Sequence, residues 1–427
     1  MTVKKLGWGL AGLVVAGNMI GSGLYLLPAT LASTGSSSLL GWLVAGFGAV
    51  ILALVFAALG RAMPGADGLS GFVERGLGRF FAFQTSLAFW AACLIGNVAV
   101  AVAATGYLAF FFPALRTPVG GTLSNLALIW LTTGAYILGA RVLAGLAAGA
   151  LLIGLAPIAV AVVAGVIAFD PDLFAASWSP SGQPLTQSVP ASLALIFWAY
   201  LGLESAAAIS AKVKNPARDV GLASISGVAL ATAVYVAATA VIFGVIPVAD
   251  LARSTSPYAD LIAQVFGASI GAIAAACAVI KATGTLGGWV MLGGETARAG
   301  ARQGFLPSGL GHGEKTPIQT PLLNAGIMSI AAIVSGQPTL GEQFGLLIGV
   351  TSVLTLVVYA FCCVSLWRGS ARPADKALAA LGLLFAIAAV TAAASGYIWP
   401  TLGFFALTSA AWLYVRKVQV DRASASP

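Results

Sequence analysis

Apolar residues form long runs along almost the whole chain, and short polar stretches separate them. A run of about 20 apolar residues can cross a bilayer as a helix, whereas a transmembrane barrel shows short alternating segments. The pattern therefore predicts an all-α polytopic membrane protein with twelve transmembrane helices. We place the spans at about 7–31, 38–60, 80–112, 122–140, 143–168, 190–211, 221–246, 262–294, 320–335, 343–367, 376–396 and 398–415.

The positions of the positive charges support this count of spans. With a cytoplasmic N-terminus, 18 of the 21 Lys and Arg residues fall in segments on the cytoplasmic side. The outer loops hold only Arg116 and Arg253, and Lys281 lies within the eighth span. Cytoplasmic loops are enriched in Lys and Arg, and one missed span would scramble this asymmetry. We therefore expect an even number of spans, with both termini in the cytoplasm.

The composition argues against a soluble enzyme or a nucleic-acid-binding protein. Of the 427 residues, 59% are hydrophobic and 8% are charged, whereas a soluble chain carries about 25% charged residues. The sequence has no GxxxxGK[ST] motif for ATP, and His312 is its only histidine. We expect the lipid bilayer and a small molecule as partners, and no enzyme activity, cofactor, metal or nucleic acid.

The first span contains the glycine-rich stretch GNMIGSG, Gly17 to Gly23. Glycine inside a helix costs about 1 kcal/mol relative to alanine, so three glycines together with Asn18 and Ser22 predict a break. At mid-membrane, a broken helix offers amides to an anionic group and carbonyls to a cation. Close helix packing through the GxxxG pattern in GNMIG is the alternative interpretation.

The sixth span contains an acid, Glu204, within FWAYLGLESA. Acids in apolar spans usually face the bundle interior and serve a function. An ion pair with Lys212 or Lys214 is the alternative, but those cations lie 8 and 10 residues further along, at about 1.5 Å per residue. The first and sixth spans hold corresponding positions in two five-helix halves, which is how inverted-repeat transporters mark their binding site.

Three linked stretches resemble the amino acid–polyamine–organocation superfamily, and above all its basic amino acid/polyamine antiporters. They are GNMIGSGLYLLPA, FWAYLGLESAAAISAKVKNPARDV and GTLGGWVMLGGETARAGARQGFLP. The resemblance implies a single transmembrane domain, 1–427, with a LeuT-type fold that often forms homodimers. Inverted repeats at about 7–168 and 190–367, with helices 1 and 6 broken, would precede two extra helices at about 376–415. It further implies a carrier in a bacterial-type inner membrane that exchanges amino acids and their decarboxylated amines.

The resemblance also implies roles for individual residues. The first helix would bind the substrate's carboxylate and amine through Asn18, Ile20, Gly21, Ser22 and Gly23. The pocket around the substrate would be completed by Ala92, Cys93, Asn97, Trp198, Leu201, Trp289 and Thr351. Gating or coupling would fall to Phe89, Glu204, Lys281 and Tyr359. Without the resemblance, the tryptophans and Cys93 also fit ordinary core packing.

Departures from the resembled family concern the subsite for the substrate's side chain. Phe89 stands where arginine-exchanging members have a tyrosine, Val100 replaces a methionine and Ala199 replaces a serine. The subsite therefore need not suit arginine. Exchange is the expected function, and proton-coupled uptake through Lys281 or Glu204 is the alternative. A non-transporting sensor is a different class, and no signalling domain supports it.

Lys281 has three interpretations. Its ammonium could reach water by snorkelling, although it lies about 14 residues, or about 20 Å, from the nearest end of the predicted span. It could replace a sodium ion that bridges the first and eighth helices in sodium-coupled proteins of the resembled fold. It could instead carry a proton, because burial disfavours the charged form of lysine. Lys281→Ala tests the last two.

Overall fold

The computed structural model describes residues 7–21, 23–204, 213, 215–311 and 317–424, and its regular secondary structure is helical. The first half contains α1 (Trp8–Met19), α2 (Gly23–Thr30), α3 (Ser38–Ala62), α4 (Gly68–Leu77), α5 (Arg79–Leu108), α6 (Pro118–Leu138), α7 (Ala140–Ile167), α8 (Pro171–Ala176) and α9 (Leu185–Phe197). The second half contains α10 (Pro216–Phe243), α11 (Val248–Leu251), α12 (Pro257–Phe266), α13 (Ala268–Arg302), α14 (Gln319–Val334), α15 (Leu340–Gly369), α16 (Pro373–Thr391) and α17 (Ser395–Ser424).

Every predicted span overlaps a helix of the structure. Among the described residues, seven helices are long and apolar enough to cross a membrane, and the bent pair α1–α2 makes an eighth. Two shorter apolar segments, Ile153–Ile167 and Gln319–Val334, fall below that length. The structure therefore confirms a polytopic helical membrane protein, and the total of twelve spans and the inverted repeat stay predictions.

The eighth predicted span differs most from its helix. Two helices occupy the region, because α12 ends at Phe266 and the next residue, Gly267, has a φ of +91° that favours glycine. The long helix α13 then runs for 35 residues to Arg302, past the predicted end at 294. Its last two turns carry Arg298 and Arg302. The prediction followed apolar runs, which end before these polar residues, so it placed the end of the helix too early.

Close packing between α1 and α10 depends on small residues. The two helices pack along their lengths. A methyl group on Gly227 of α10 would lie 2.8 Å from the backbone oxygen of Gly12 and 2.8 Å from Val15 Cβ. Such distances are shorter than van der Waals contact, so only glycine lets the two backbones approach this closely. This close contact holds α1, the first half of the broken first span, against α10.

We predict that Gly227→Ala destabilises the protein by about 1–3 kcal/mol, the usual cost of overpacking. Gly221→Ala is the matched control on the same helix, because its methyl would meet only Leu54 Cδ2 at an ordinary 3.8 Å. Thermal unfolding of the purified protein in detergent measures both. A melting temperature for Gly227→Ala equal to that of Gly221→Ala would contradict the packing argument.

Candidate functional site

The first span is broken between α1 and α2. Helix α1 ends at Met19, α2 begins at Gly23, and the two axes bend by 52°. The amide of Ile20 still bonds to the oxygen of Ala16 at 2.7 Å, whereas the amide of Gly21 turns to the oxygen of Met19. The glycine-rich stretch therefore forms a break, as its composition predicted. Ser22 lies outside the described residues.

A second break follows α9. After Phe197 the chain makes a short 3-10 turn, Trp198–Tyr200, and Leu201 is extended with φ −61° and ψ 135°. Gly202 has φ +103°, a conformation that residues with a Cβ rarely adopt. A methyl on Gly202 would lie 3.6 Å from the backbone oxygen of Asn18. The two breaks therefore face each other inside the bundle.

A cavity of about 960 Å³ opens at these breaks. It extends from Gly17 and Asn18 towards the loop before α4 and the last turns of α13. Helices α5, α13 and α15 supply most of the remaining wall. Of the residues predicted to bind substrate or gate the site, those that line it are Asn18, Gly21, Phe89, Ala92, Cys93, Leu201, Glu204, Lys281, Trp289, Thr351 and Tyr359.

Three predicted residues lie behind this wall. Ile20 and Trp198 are each 5% exposed, and Asn97 is fully buried, with no hydrogen-bond partner for its amide atoms among the described residues. The ring of Trp198 lies 5.8 Å from that of Trp289, at an angle of 32°. Gly96 leaves room for that ring, because a methyl there would lie 3.0 Å from it. The two tryptophans are thus neighbouring rings tilted against each other, of which Trp289 borders the cavity. Gly23 is the first residue of α2.

The acid of the second break is hydrogen-bonded across the cavity. The Tyr359 hydroxyl of α15 donates to Glu204 Oε2 at 2.6 Å. Tyr359 is itself fully buried, and its ring packs edge-on against Phe56 with centroids 4.8 Å apart. The hydrogen bond therefore joins the second break to a rigidly packed helix. The alternative partners Lys212 and Lys214 lie outside the described residues, as does His312.

Lys281 borders the cavity from α13. Its side chain is 6% exposed, and its aliphatic part lies over Gly154 of α7, where any added methyl would overlap it. One helical turn further along α13, Thr285 lies beside Gly21 of the first break, 3.9 Å from the position of a Cβ there. The lysine is therefore close to the first break and remote from both ends of its helix.

Sequence reasoning missed the polar end of the cavity. Its lining includes Asp67, Ser70, Glu295, Arg298 and Arg302. These residues come from the loop after α3, the start of α4 and the end of α13, and only packing brings them together. Thr285 was also missed, although its spacing of four from Lys281 places both on one face of a helix.

Comparison with known proteins identifies the relatives of this chain. The sequence model of the amino acid permease family matches residues 6–420. The cadaverine/lysine antiporter of Escherichia coli (strain K12) is 33% identical over 374 residues, which cover 86% of this chain and 84% of the relative. The putrescine transporter PotE of the same strain is 32% identical over 351 residues, covering 82% and 80%. PotE of Haemophilus influenzae is 28% identical over 351 residues, covering 82% and 81%.

Proposed function

The chain belongs to the amino acid permease family, and we propose that it exchanges an amino acid for a related amine or a second amino acid. Members of this family are membrane transporters and not enzymes. This chain is therefore a membrane transporter as well. One observation carries the proposal: two helix breaks face each other and border a single cavity. Relatives named as an antiporter for cadaverine and lysine and as a putrescine transporter support the substrate class.

The proposed binding mode uses the backbone of the first break and the side chains around it. Because the amides of Ile20 and Gly21 are already bonded, the amides that follow Gly21 would bind a carboxylate. Carbonyls near Asn18 would bind an amine, since a broken helix offers both kinds of group. The substrate's side chain would lie against Trp289, and the pocket would select this side chain by its size and charge. The other walls of the pocket are Ala92, Cys93, Leu201 and Thr351. Behind them, Ile20, Asn97 and Trp198 would form a supporting layer, and Ser22 and Gly23 are further predicted contacts.

The proposed architecture is a LeuT-type bundle of twelve spans in a bacterial-type inner membrane. Both termini would be cytoplasmic, and two copies would form a homodimer. In this orientation, the segments at Asp67 and at Arg298 are cytoplasmic. The cavity reaches both, so the conformation corresponds to the inward-open state of an alternating-access cycle, with Glu204, Tyr359, Lys281 and Phe89 as gating or coupling residues.

Trans-stimulation tests the proposed exchange. Proteoliposomes loaded with a labelled substrate, found by a thermal-shift screen of amino acids and amines, are diluted into buffer with or without unlabelled substrate. Exchange predicts that external substrate accelerates efflux, because the empty carrier crosses over slowly. An efflux rate that is the same with and without external substrate would contradict exchange. Protein-free liposomes are the control.

Proton-coupled uptake is a second candidate, supported by two ionisable side chains at the cavity. Glu204 and Lys281 both line it, and buried ionisable residues in membrane spans often serve proton relays. A pH gradient that drives net uptake into vesicles without internal substrate would favour this candidate. Uptake that requires internal substrate and does not depend on the pH gradient would favour exchange.

A further inference from the structure

Lys281 has no counter-ion in the part of the chain that the structure describes. Its side chain is 6% exposed and borders the cavity. The ion pairs found among the described residues are Arg61–Asp375, Arg79–Glu74 and Arg298–Glu295. The Lys281 ammonium donates no hydrogen bond among the described residues. A nearly buried cation without a partner is costly, unless a ligand brings the missing negative charge.

The acids of the cavity do not supply that charge. Glu204 forms no ion pair with Lys281 within 4 Å, and its Oε2 accepts a hydrogen bond from Tyr359 instead. Glu295 lies 14 residues beyond Lys281 on α13, which is about 21 Å along a helix and beyond the reach of both side chains. Asp67 lines the loop end of the cavity, together with Arg298 and Arg302. No carboxylate of the described residues therefore pairs with the Lys281 ammonium at the cavity.

We propose that Lys281 makes the site select ligands that carry a carboxylate and reject diamines, and this inference rests on the proposed function. Thr285, on the same face of α13, lies beside Gly21, where the broken helix offers amides to an anion. The lysine lies one helical turn from Thr285 and lines the same cavity, so it adds a full positive charge on the side of the proposed carboxylate position. A diamine such as putrescine or cadaverine brings two positive charges and no negative one. The exchanged partners would then be two amino acids, in contrast to the diamines named for the relatives.

Pairs of ligands that differ only in the carboxylate test this proposal. Binding to the purified full-length protein is measured for lysine against cadaverine, ornithine against putrescine, and leucine against 3-methylbutylamine. We expect the wild type to prefer the amino acid of each pair that binds. Lys281→Met retains an unbranched apolar side chain over Gly154 but removes the charge, so the preference should shrink at least tenfold, equivalent to about 1.4 kcal/mol. Lys281→Arg keeps the charge and should keep most of the preference.

The outcomes separate this inference from the proposed function. The ratio of the dissociation constants for the amine and the amino acid of a pair measures the preference. If this ratio is unchanged in Lys281→Met, or if the wild type binds each amine as tightly as its amino acid, the role of Lys281 is overturned. Should Lys281→Met not fold, Lys281→Gln provides the same comparison with a polar neutral side chain. Ligand binding without flux would overturn the transport function but leave the inference standing. Failure of every pair to bind would overturn both.

Discussion

Lys281→Ala should abolish exchange in proteoliposomes, or uncouple it, while the protein stays folded. The wild-type side chain fills the space over Gly154 and places a cation at the cavity. Alanine removes the charge and leaves a void between α13 and α7. If the fixed cation holds the first break and α13 together, or carries the coupled proton, flux should fall about a hundredfold or more, a change of about 2.7 kcal/mol in the barrier.

The matched control for this prediction is Lys376→Ala. Lys376 lies in the first turn of α16, is half-buried, and does not line the cavity. The Lys376→Ala variant should retain wild-type flux and an unchanged gel-filtration profile. Lys281→Ala should share that profile and lose flux, which separates a functional loss from misfolding. Wild-type flux with wild-type pH dependence in Lys281→Ala would reject both functional roles and favour a lysine that only snorkels to water.

Tyr359→Phe should slow exchange about 10- to 100-fold. The substitution removes a single hydroxyl, which donates to Glu204 at 2.6 Å. Leaving a buried acceptor without its partner costs about 1–3 kcal/mol, and the acid would remain at the cavity without this donor. If that bond fixes the second break during the transport cycle, initial rates of labelled substrate exchange will report its loss.

Tyr258→Phe provides the comparison at another buried tyrosine. The hydroxyl of Tyr258 is buried and lacks a hydrogen-bond partner among the described residues, so its removal should leave exchange unchanged and should not lower stability. A loss of rate in both variants would point to general packing, and normal exchange by Tyr359→Phe would show that the bond is not needed. Only a loss confined to Tyr359→Phe supports the proposed role.

The geometry around the tryptophans shows where reasoning from sequence reaches its limit. The resemblance assigned Trp198 and Trp289 to the site, and helical periodicity could at best predict which face each occupies. That Trp289 borders the cavity while Trp198 stands behind it depends on Gly96 of α5, which makes room for the Trp198 ring. No pattern within α9 or α13 contains that information. The same holds for Asn97, which is buried away from the cavity lining.

The break in the sixth span was expected from the family resemblance. The sequence by itself determined the membrane class, the approximate helical segments and the break in the first span. These are local properties: the length of an apolar run sets whether a helix can cross a bilayer, and clustered glycines weaken a helix wherever they stand. Tertiary structure alone decided that the breaks meet, that Tyr359 bonds to an acid 155 residues away, and that Lys281 packs on Gly154. Such pairings depend on how the helices pack, and no single segment encodes the neighbour that it will meet.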